Sequence, residues 1–348
     1  MVAFPSSTPP PPTVDPIGDG TISAVHHDIL QNHILNRLDG PTLAAVACAS
    51  SELHGLSTED KLWQKICIDT WPSINDPLTS SIISTFPSGH RSFFSDSYPL
   101  LHHHRHSSHI LERPSPETTE LISAVDIFYQ NFPIFSKVEE TETESGWFMS
   151  SPFRVDLIEP NKDFVPSGIP QASENDSRLK QVEQNLTLSW ILIDPKQKRA
   201  VNISSHRAVS VQRHWLTGEV QAKFATILAG DEEKGSEREY VQFEVVVTCG
   251  GKEGGEIHVR DVSMVMEDME GKTLTGKESL VILQEAMERG ERRKGKSGKE
   301  GKERFKEFLE RRKERKERIQ RREKILDWVC IASGISSFMA FWSYILFQ

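Results

Sequence analysis

Cysteine is scarce in this chain and never grouped. Cys48, Cys67, Cys249 and Cys330 stand far apart, with no C-x-x-C pair and no Cys/His spacing of the zinc type. That excludes a disulfide scaffold and a zinc module, and it fits a reducing compartment. The opening MVAFPSSTPPPPTVDP has no apolar run, so a cleaved secretory signal is not expected. The N-x-S/T sequons at Asn175, Asn185 and Asn202 would then stay bare. Signatures of catalysis are missing too. No Ser-His-Asp order, paired-carboxylate motif or nucleotide fingerprint stands out, so neither an active site nor a cofactor is expected. Overall positive charge is also absent. A net charge of −9 excludes a wholly basic nucleic-acid binder, and no nucleic-acid partner is expected.

The charge that is present is unevenly placed. Residues 288–324 hold 18 Lys/Arg against 9 Asp/Glu, a net of +9, and Asp327 is the one charge in 325–348. The remaining 1–287 therefore carry −17. An acidic body ends in a basic arm and an uncharged tail.

A length of 348 residues suggests about two domains with connectors. Six of the nineteen prolines fall in 1–20, which read as a disordered leader. Residues 21–72 read as helical. Leu30, Ile34, Leu35 and Leu38 share one face of a helix that Asp28 would cap. Asp39-Gly40 stops it, and Pro41 suits the first turn of a second helix through Leu43–Cys48. Ser50-Ser51 loosens that helix, and Thr58 is placed to cap a third one bearing Leu62, Trp63 and Ile66. Residues 73–116 form a mixed connector. Residues 117–287 are β-rich, with the runs SWILID, AVSVQ, AKFATIL, VQFEVVVT and IHVRDVSMVM. Val241, Phe243, Val245 and Val247 alternate, and Val262, Met264 and Met266 resume the alternation of Ile257 and Val259 on the other parity. The sequence therefore predicts a hairpin of 241–248 with 257–266, turned by GGKEGGE and bulged near Asp261. Thr275 and Glu278 have capping-box spacing before Leu280–Leu283, so a helix should start there and run into the basic arm at 288–324. The fold class expected is α+β: three N-terminal helices, a sandwich-like β-rich domain, a long charged helix and a C-terminal hydrophobic segment.

Three clusters are candidate sites. His90, His102, His103, His104, His106 and His109 crowd into twenty residues. Such tracts can bind metal, but without a scaffold the bland reading, a solvated loop, is preferred, and no metal site is assigned. GGKEGGE lacks the spacing of a phosphate loop and reads as a turn. His206, Arg207, Arg213, His214 and Trp215 offer donors and a stacking face between two strands. Arg207, Arg213, His214 and Trp215 are taken as candidate target-binding residues, against the alternative that Trp215 fills the core.

From Ile22 to about Cys67 the sequence resembles an F-box. The matching residues are Asp28-Ile29-Leu30, Ile34-Leu35, Arg37-Leu38-Asp39, the Leu43–Cys48 helix and Leu62-Trp63. It departs from the family where Val25-His26 replaces an opening Leu-Pro, and where Ser50-Ser51-Glu52-Leu53 replaces a closing Trp. WPSINDP, FPSGHRSFF and the β-rich stretch are similar to a plant F-box subfamily with a C-terminal domain of unknown role. The resemblance implies a non-catalytic, substrate-recognition subunit of a cullin-RING (SCF-type) ubiquitin ligase. Its adaptor would be held by Leu30, Ile34, Leu35, Leu38, Pro41, Leu43, Val46, Leu62 and Trp63, a cullin would be reached through that adaptor, and the target protein would sit on 117–287. The rivals are a lectin-like module and a membrane-tethered scaffold not coupled to a ligase.

Trp328–Phe347 is twenty residues without charge, long enough as a helix to span about 30 Å. The basic flank predicts a cytosolic body and a tail anchor at 325–348. The alternative is an element buried in the β domain, with the protein in cytoplasm or nucleus.

Overall fold

The computed structural model describes residues 25–98, 100–102, 118–158, 165–170, 175–230, 236–250, 256–293 and 299–347. The chain forms two compact units, Met1–Ile66 and Cys67–Gln348.

The first unit is helical, and its opening is not the single regular helix expected. α1 (His27–Ile29) passes into a π turn (Leu30–Ile34) and a 3₁₀ turn (Leu35–Arg37). Leu30 and Leu35 are five residues apart, about 1.4 α-helical turns, so an even α-helix would point them to different sides. Widening the turn to i→i+5 brings them together. Both are buried, while Ile34 is 45 % exposed and Leu38 half-buried. His26, not Asp28, is the cap: its Nδ1 accepts from the Asp28 N–H at 3.3 Å. α2 (Gly40–Val46) has Pro41 in its first turn, and Asp39 accepts from the Thr42 N–H at 2.9 Å. Ser50 starts a separate helix, α3 (Ser51–Ser57), by accepting from the Leu53 N–H at 3.1 Å. Thr58 therefore ends α3 and does not begin α4 (Asp60–Thr70), and its hydroxyl donates back to the Gly55 carbonyl.

The second unit opens with a 3₁₀ turn (Pro72–Asn75), α5 (Pro77–Ser84) and α6 (Gly89–Ser97), joined by ring contacts of Trp71 and Phe86 with Phe93. After β1 (Leu100–His102) come β2 (Glu120–Tyr129), β3 (Phe132–Glu142), α7 (Gly146–Ser150), β4 (Arg154–Asp156), β5 (Val165–Pro170) and α8 (Asn175–Asn185). Then follow β6 (Leu186–Asp194), β7 (Arg199–Asn202), β8 (Ser210–Arg213), β9 (Val220–Ala229), β10 (Tyr240–Gly250), β11 (Glu256–Glu267), α9 (Gly276–Arg289), β12 (Glu291–Arg293) and α10 (Lys299–Leu346). One sheet runs β3-β2-β6-β7, and another runs β4-β11-β10-β9-β8 with β5 also on β11. Val125 and Ile127 of β2, Trp190 of β6, Phe224 of β9, Val245 of β10 and Met264 of β11 share one core, so the sheets face each other as a sandwich. The fold is α+β.

The outer face of the first sheet is covered as well. Buried Asp126 on β2 accepts from the Ser73 N–H (2.9 Å), the Ser73 hydroxyl (2.6 Å) and the Ser136 hydroxyl (2.7 Å). Asp96 at the end of α6 pairs with Arg199 of β7 at 2.8 Å. The helices of 72–97 thus pack on the sheet, which leaves β6 buried at all nine positions.

The β10–β11 hairpin forms as expected, in a register that puts Val245 opposite Met264. Thr248 faces Asp261 and Cys249 faces Val259, so Arg260 is the bulged residue. Residues 251–255 of the GGKEGGE turn lie outside the described residues. At α9 the capping box is present, with the Thr275 N–H donating to Glu278 at 2.8 Å. Burial works against the Glu278 charge, yet the Thr275 donors and the Arg238 charge hold its carboxyl below the ordinary range.

That helix does not run on into the basic arm. α9 ends at Arg289, and Gly290 leads into β12, which pairs with β1. A side chain at position 290 would collide with the Ala286 carbonyl and Leu101. The charged helix begins at Lys299, not at 288. Phe308 is buried and Gly301, Arg304, Phe305, Arg312, Arg315 and Ile319 are half-buried, one face of a helix that docks along β9. Arg311 lies over the Tyr240 ring at 4.8 Å, and Arg315 reaches Glu270 at 3.4 Å. From Gln320 to Phe347 every residue is exposed. The apolar tail is therefore not an element buried in the β domain: its helix is long and apolar enough to cross a membrane, and its apolar stretch has no cover from the body.

Candidate functional site

In the first unit, folding divides the nine expected adaptor-contact residues into two groups. Leu30, Leu35, Leu43, Leu62 and Trp63 are buried within the unit and form its core together with Leu53. The Trp63 indole N–H donates to the Ser57 carbonyl at 2.7 Å, which satisfies the polar edge of a ring otherwise out of water. Pro41, Leu38 and Val46 are half-buried. Val25, Ile29 and Ile34 are 36 %, 49 % and 45 % exposed. Ile29 points away from buried Leu30, since neighbouring helical residues project about 100° apart. The accessible apolar side chains thus lie on the opening helical turns, whose mixed pitch turns Leu30 and Leu35 inward and leaves Ile29 and Ile34 outward.

In the second unit the candidate target residues split differently. Arg213, His214 and Trp215 come together in the turn between β8 and β9. His214 donates its N–H to the Glu219 carbonyl at 2.7 Å, the Thr217 N–H reaches His214 Nδ1 at 3.2 Å, and Gly218 takes the positive φ of 72° that closes the turn. Trp215 does not fill the core. It is 87 % exposed, beside Leu216, because a tight turn at the end of a strand has no inner face to offer it. Arg207 forms an isolated bridge with Thr187 ahead of β8, at the other end of that strand from the turn that holds His214 and Trp215. Phe132 and Trp147 are further exposed aromatics that the sequence did not single out. Phe132 follows Gln130 and Asn131, both at positive φ, in a two-residue hairpin turn that lacks the usual glycine.

The histidine cluster is not one cluster. His90 sits buried in α6, and not in a loop, because it lies on the face of α6 that packs inward with Phe93 and Phe94. His102 ends β1, while His103, His104, His106 and His109 lie outside the described residues. Among the described residues no group of three His, Cys, Asp or Glu is placed to hold a metal ion. Of the thiols, Cys48 and Cys330 are exposed and Cys67 and Cys249 buried. Burial, helped by the nearby Glu219 charge, pushes the Cys249 thiol up to about 12, far from a reactive thiolate.

No family model matches the chain, and no solved structure matches it. Named relatives are nevertheless close. F-box protein At2g27310 of Arabidopsis thaliana is 46 % identical over 348 residues, covering 97 % of this chain and 99 % of that protein. F-box protein At3g44326 of the same plant is 48 % identical over 277 residues, 78 % of this chain and 75 % of the relative. Probable F-box protein At2g36090 is 49 % identical over 267 residues, 77 % and 75 % of the two chains. Identity at this level, carried along nearly the whole length in the first case, means that the chain belongs to the plant F-box protein family.

Proposed function

We propose that this chain is the substrate-recognition subunit of an SCF-type ubiquitin ligase. The helical unit docks on the small adaptor, the adaptor bridges to a cullin, and the β sandwich holds a target protein. Catalysis in this reading is proximity: the target lysine is kept near a ubiquitin-charged enzyme that other subunits bring. This chain supplies no acid, base or nucleophile to the transfer. Family membership supports the reading, and one observation carries the adaptor contact. A unit whose core is already filled leaves Val25, Ile29 and Ile34 in water on consecutive turns. So small a unit gains stability when a partner buries that surface.

In this proposal Ile34, with Leu38, Pro41 and Val46 at its margin, touches the adaptor, while Leu30, Leu35, Leu43, Leu62 and Trp63 hold the helices that present it. Ile34→Asp should lower adaptor capture by the full-length protein at least tenfold, in line with the roughly 2 kcal/mol or more expected at a central interface residue, and leave the melting temperature unchanged. Leu35→Asp should also lose capture, but by unfolding the unit. Undiminished capture by Ile34→Asp would refute the contact. On the target side the reading places Arg213–Leu216 at the contact, so Trp215→Ala should deplete co-purified targets without depleting the adaptor.

The tail supports a second element of the reading: the ligase subunit is anchored in a membrane by 325–347 with its body on the cytosolic side. Ile325–Phe347 as a helix is about 34 Å long, enough for the hydrocarbon core. Trp328 stands at one end and Trp342 and Tyr344 near the other, where amphipathic rings suit the interfaces. The cations on the N-terminal side set the orientation.

A further inference from the structure

The four turns of α10 that precede the apolar segment, the last of the docked face among them, hold a set of cations that the described residues do not pair. Arg312 and Arg315 belong to the docked face, Arg311 lies on Tyr240, and Arg321 pairs with Glu317 at 3.4 Å. Lys316, Arg318, Arg322 and Lys324 are exposed, and among the described residues no carboxylate pairs with them. At 3.6 residues per turn, Arg318 and Arg322 project from one side of the helix and Lys316 and Lys324 from the opposite side. All four lie within about 14 Å of Ile325 along the axis, where the apolar segment begins. The helix passes from this stretch into that segment without a break.

We propose that Lys316, Arg318, Arg322 and Lys324 form a collar that binds the anionic headgroups of the cytosolic leaflet. The inference rests on the membrane anchor proposed above. The layout decides between partners. A protein or nucleic acid approaching from one side would meet two of the four cations, whereas a headgroup layer surrounds a helix that pierces it and meets all four. Arginine gives forked hydrogen bonds to phosphate, and the long lysine stems let the ammonium groups reach the headgroup plane from either side. The docked face also fixes the height of the collar. The last residue in contact with the body is Ile319, about 9 Å along the helix from Ile325, so the β sandwich stands within roughly one Debye length of the charged surface.

The test uses the full chain, purified in detergent and offered vesicles of pure phosphatidylcholine or of phosphatidylcholine with 30 % phosphatidylserine. Flotation measures partition, and alkaline carbonate measures insertion. The wild type should enter both vesicles in carbonate-resistant form but favour the anionic ones about tenfold or more at low salt, given the attraction expected per basic residue at such a surface. The preference should shrink at high salt. The variant carrying Lys316→Gln, Arg318→Gln, Arg322→Gln and Lys324→Gln should remain carbonate-resistant in both and lose the preference. Equal partition of the wild type, or a preference kept by the variant, overturns the collar and leaves the anchor standing. A wild type that carbonate strips from both vesicles overturns the anchor and the collar together.

Discussion

Strand β6 and the end of α10 are both rich in apolar residues, and the fold treats them in opposite ways. Every residue of β6 is buried, with Trp190 facing the second sheet and Ile191 and Ile193 on the side covered by the helices of 72–97. Every residue from Gln320 to Phe347 is exposed. The difference shows that apolar content alone does not assign a stretch to the core. β6 is paired on both edges by β2 and β7 and covered on its two faces by the opposite sheet and the helices of 72–97. The tail follows a helix already committed to the body through its own polar-edged face, and nothing beyond Ile319 continues that face. Burying the tail in the sandwich would displace a core that is already closed. Among the described residues nothing covers it.

The strongest way to break this comparison is to truncate both stretches at one side chain. Trp190→Ala should cost about 3–5 kcal/mol in the unfolding of the β body, read from denaturant melts by near-ultraviolet circular dichroism. Ile335→Ala, an equally apolar residue in the tail, should leave the same transition within about 0.5 kcal/mol. A loss at Ile335 comparable to that at Trp190 would mean that the tail does pack on the body. Next in size is the effect of the tail on location. Deleting 325–348 should release the protein from carbonate-washed membranes and leave the melting temperature of the body unchanged. Ser337→Arg, which adds a charge mid-span at about 2.5–3.5 kcal/mol, should release only part of it. A soluble full-length protein whose melting temperature falls on truncation would contradict the contrast.

The smallest effect sharpens the covered side. Burial raises the Asp126 carboxyl above its ordinary 3.8, although donors from Ser73 and Ser136 pull it back. A carboxyl raised in the folded state binds its proton more tightly there than in the unfolded chain. Its contribution to stability is therefore largest at low pH, falls as pH rises from about 3.8 through the raised value, and is constant above it. Carboxyl-carbon NMR should place the Asp126 midpoint above 3.8, and a midpoint below it would show that the Ser73 and Ser136 donors outweigh burial.

Local chemistry was the legible part of the sequence. The capping box at Thr275 and Glu278, the alternation of 241–247 and the parity change beside Asp261 each depend on residues that touch one another within one or two elements. What could not be read was set at long range. The helix breaks at Gly290 because that glycine crosses close to Leu101, about 190 residues earlier, and no local signal announces it. His90 looked like part of a wet histidine tract until α6 turned it inward. Helix α8 has too few apolar residues to show a periodic face. At the candidate surfaces the residue types were legible and the exposure was not. Leu30 and Ile34 look alike in sequence, and only the change of helical pitch separates a core residue from a surface one. Arg207 looked like a neighbour of Arg213 until β8 drew them apart.

The pairing of β1 with β12 has a consequence in time. Leu100 must wait for Arg293, and the docked turns of α10 come later still. At ordinary rates of translation the gap between those two strands is about 10–40 s, and β9, made late in that interval, then waits for α10 to cover its outer face. Contacts of such high sequence separation also form slowly once both partners exist. The seal over β9 is therefore among the last contacts of the body to form.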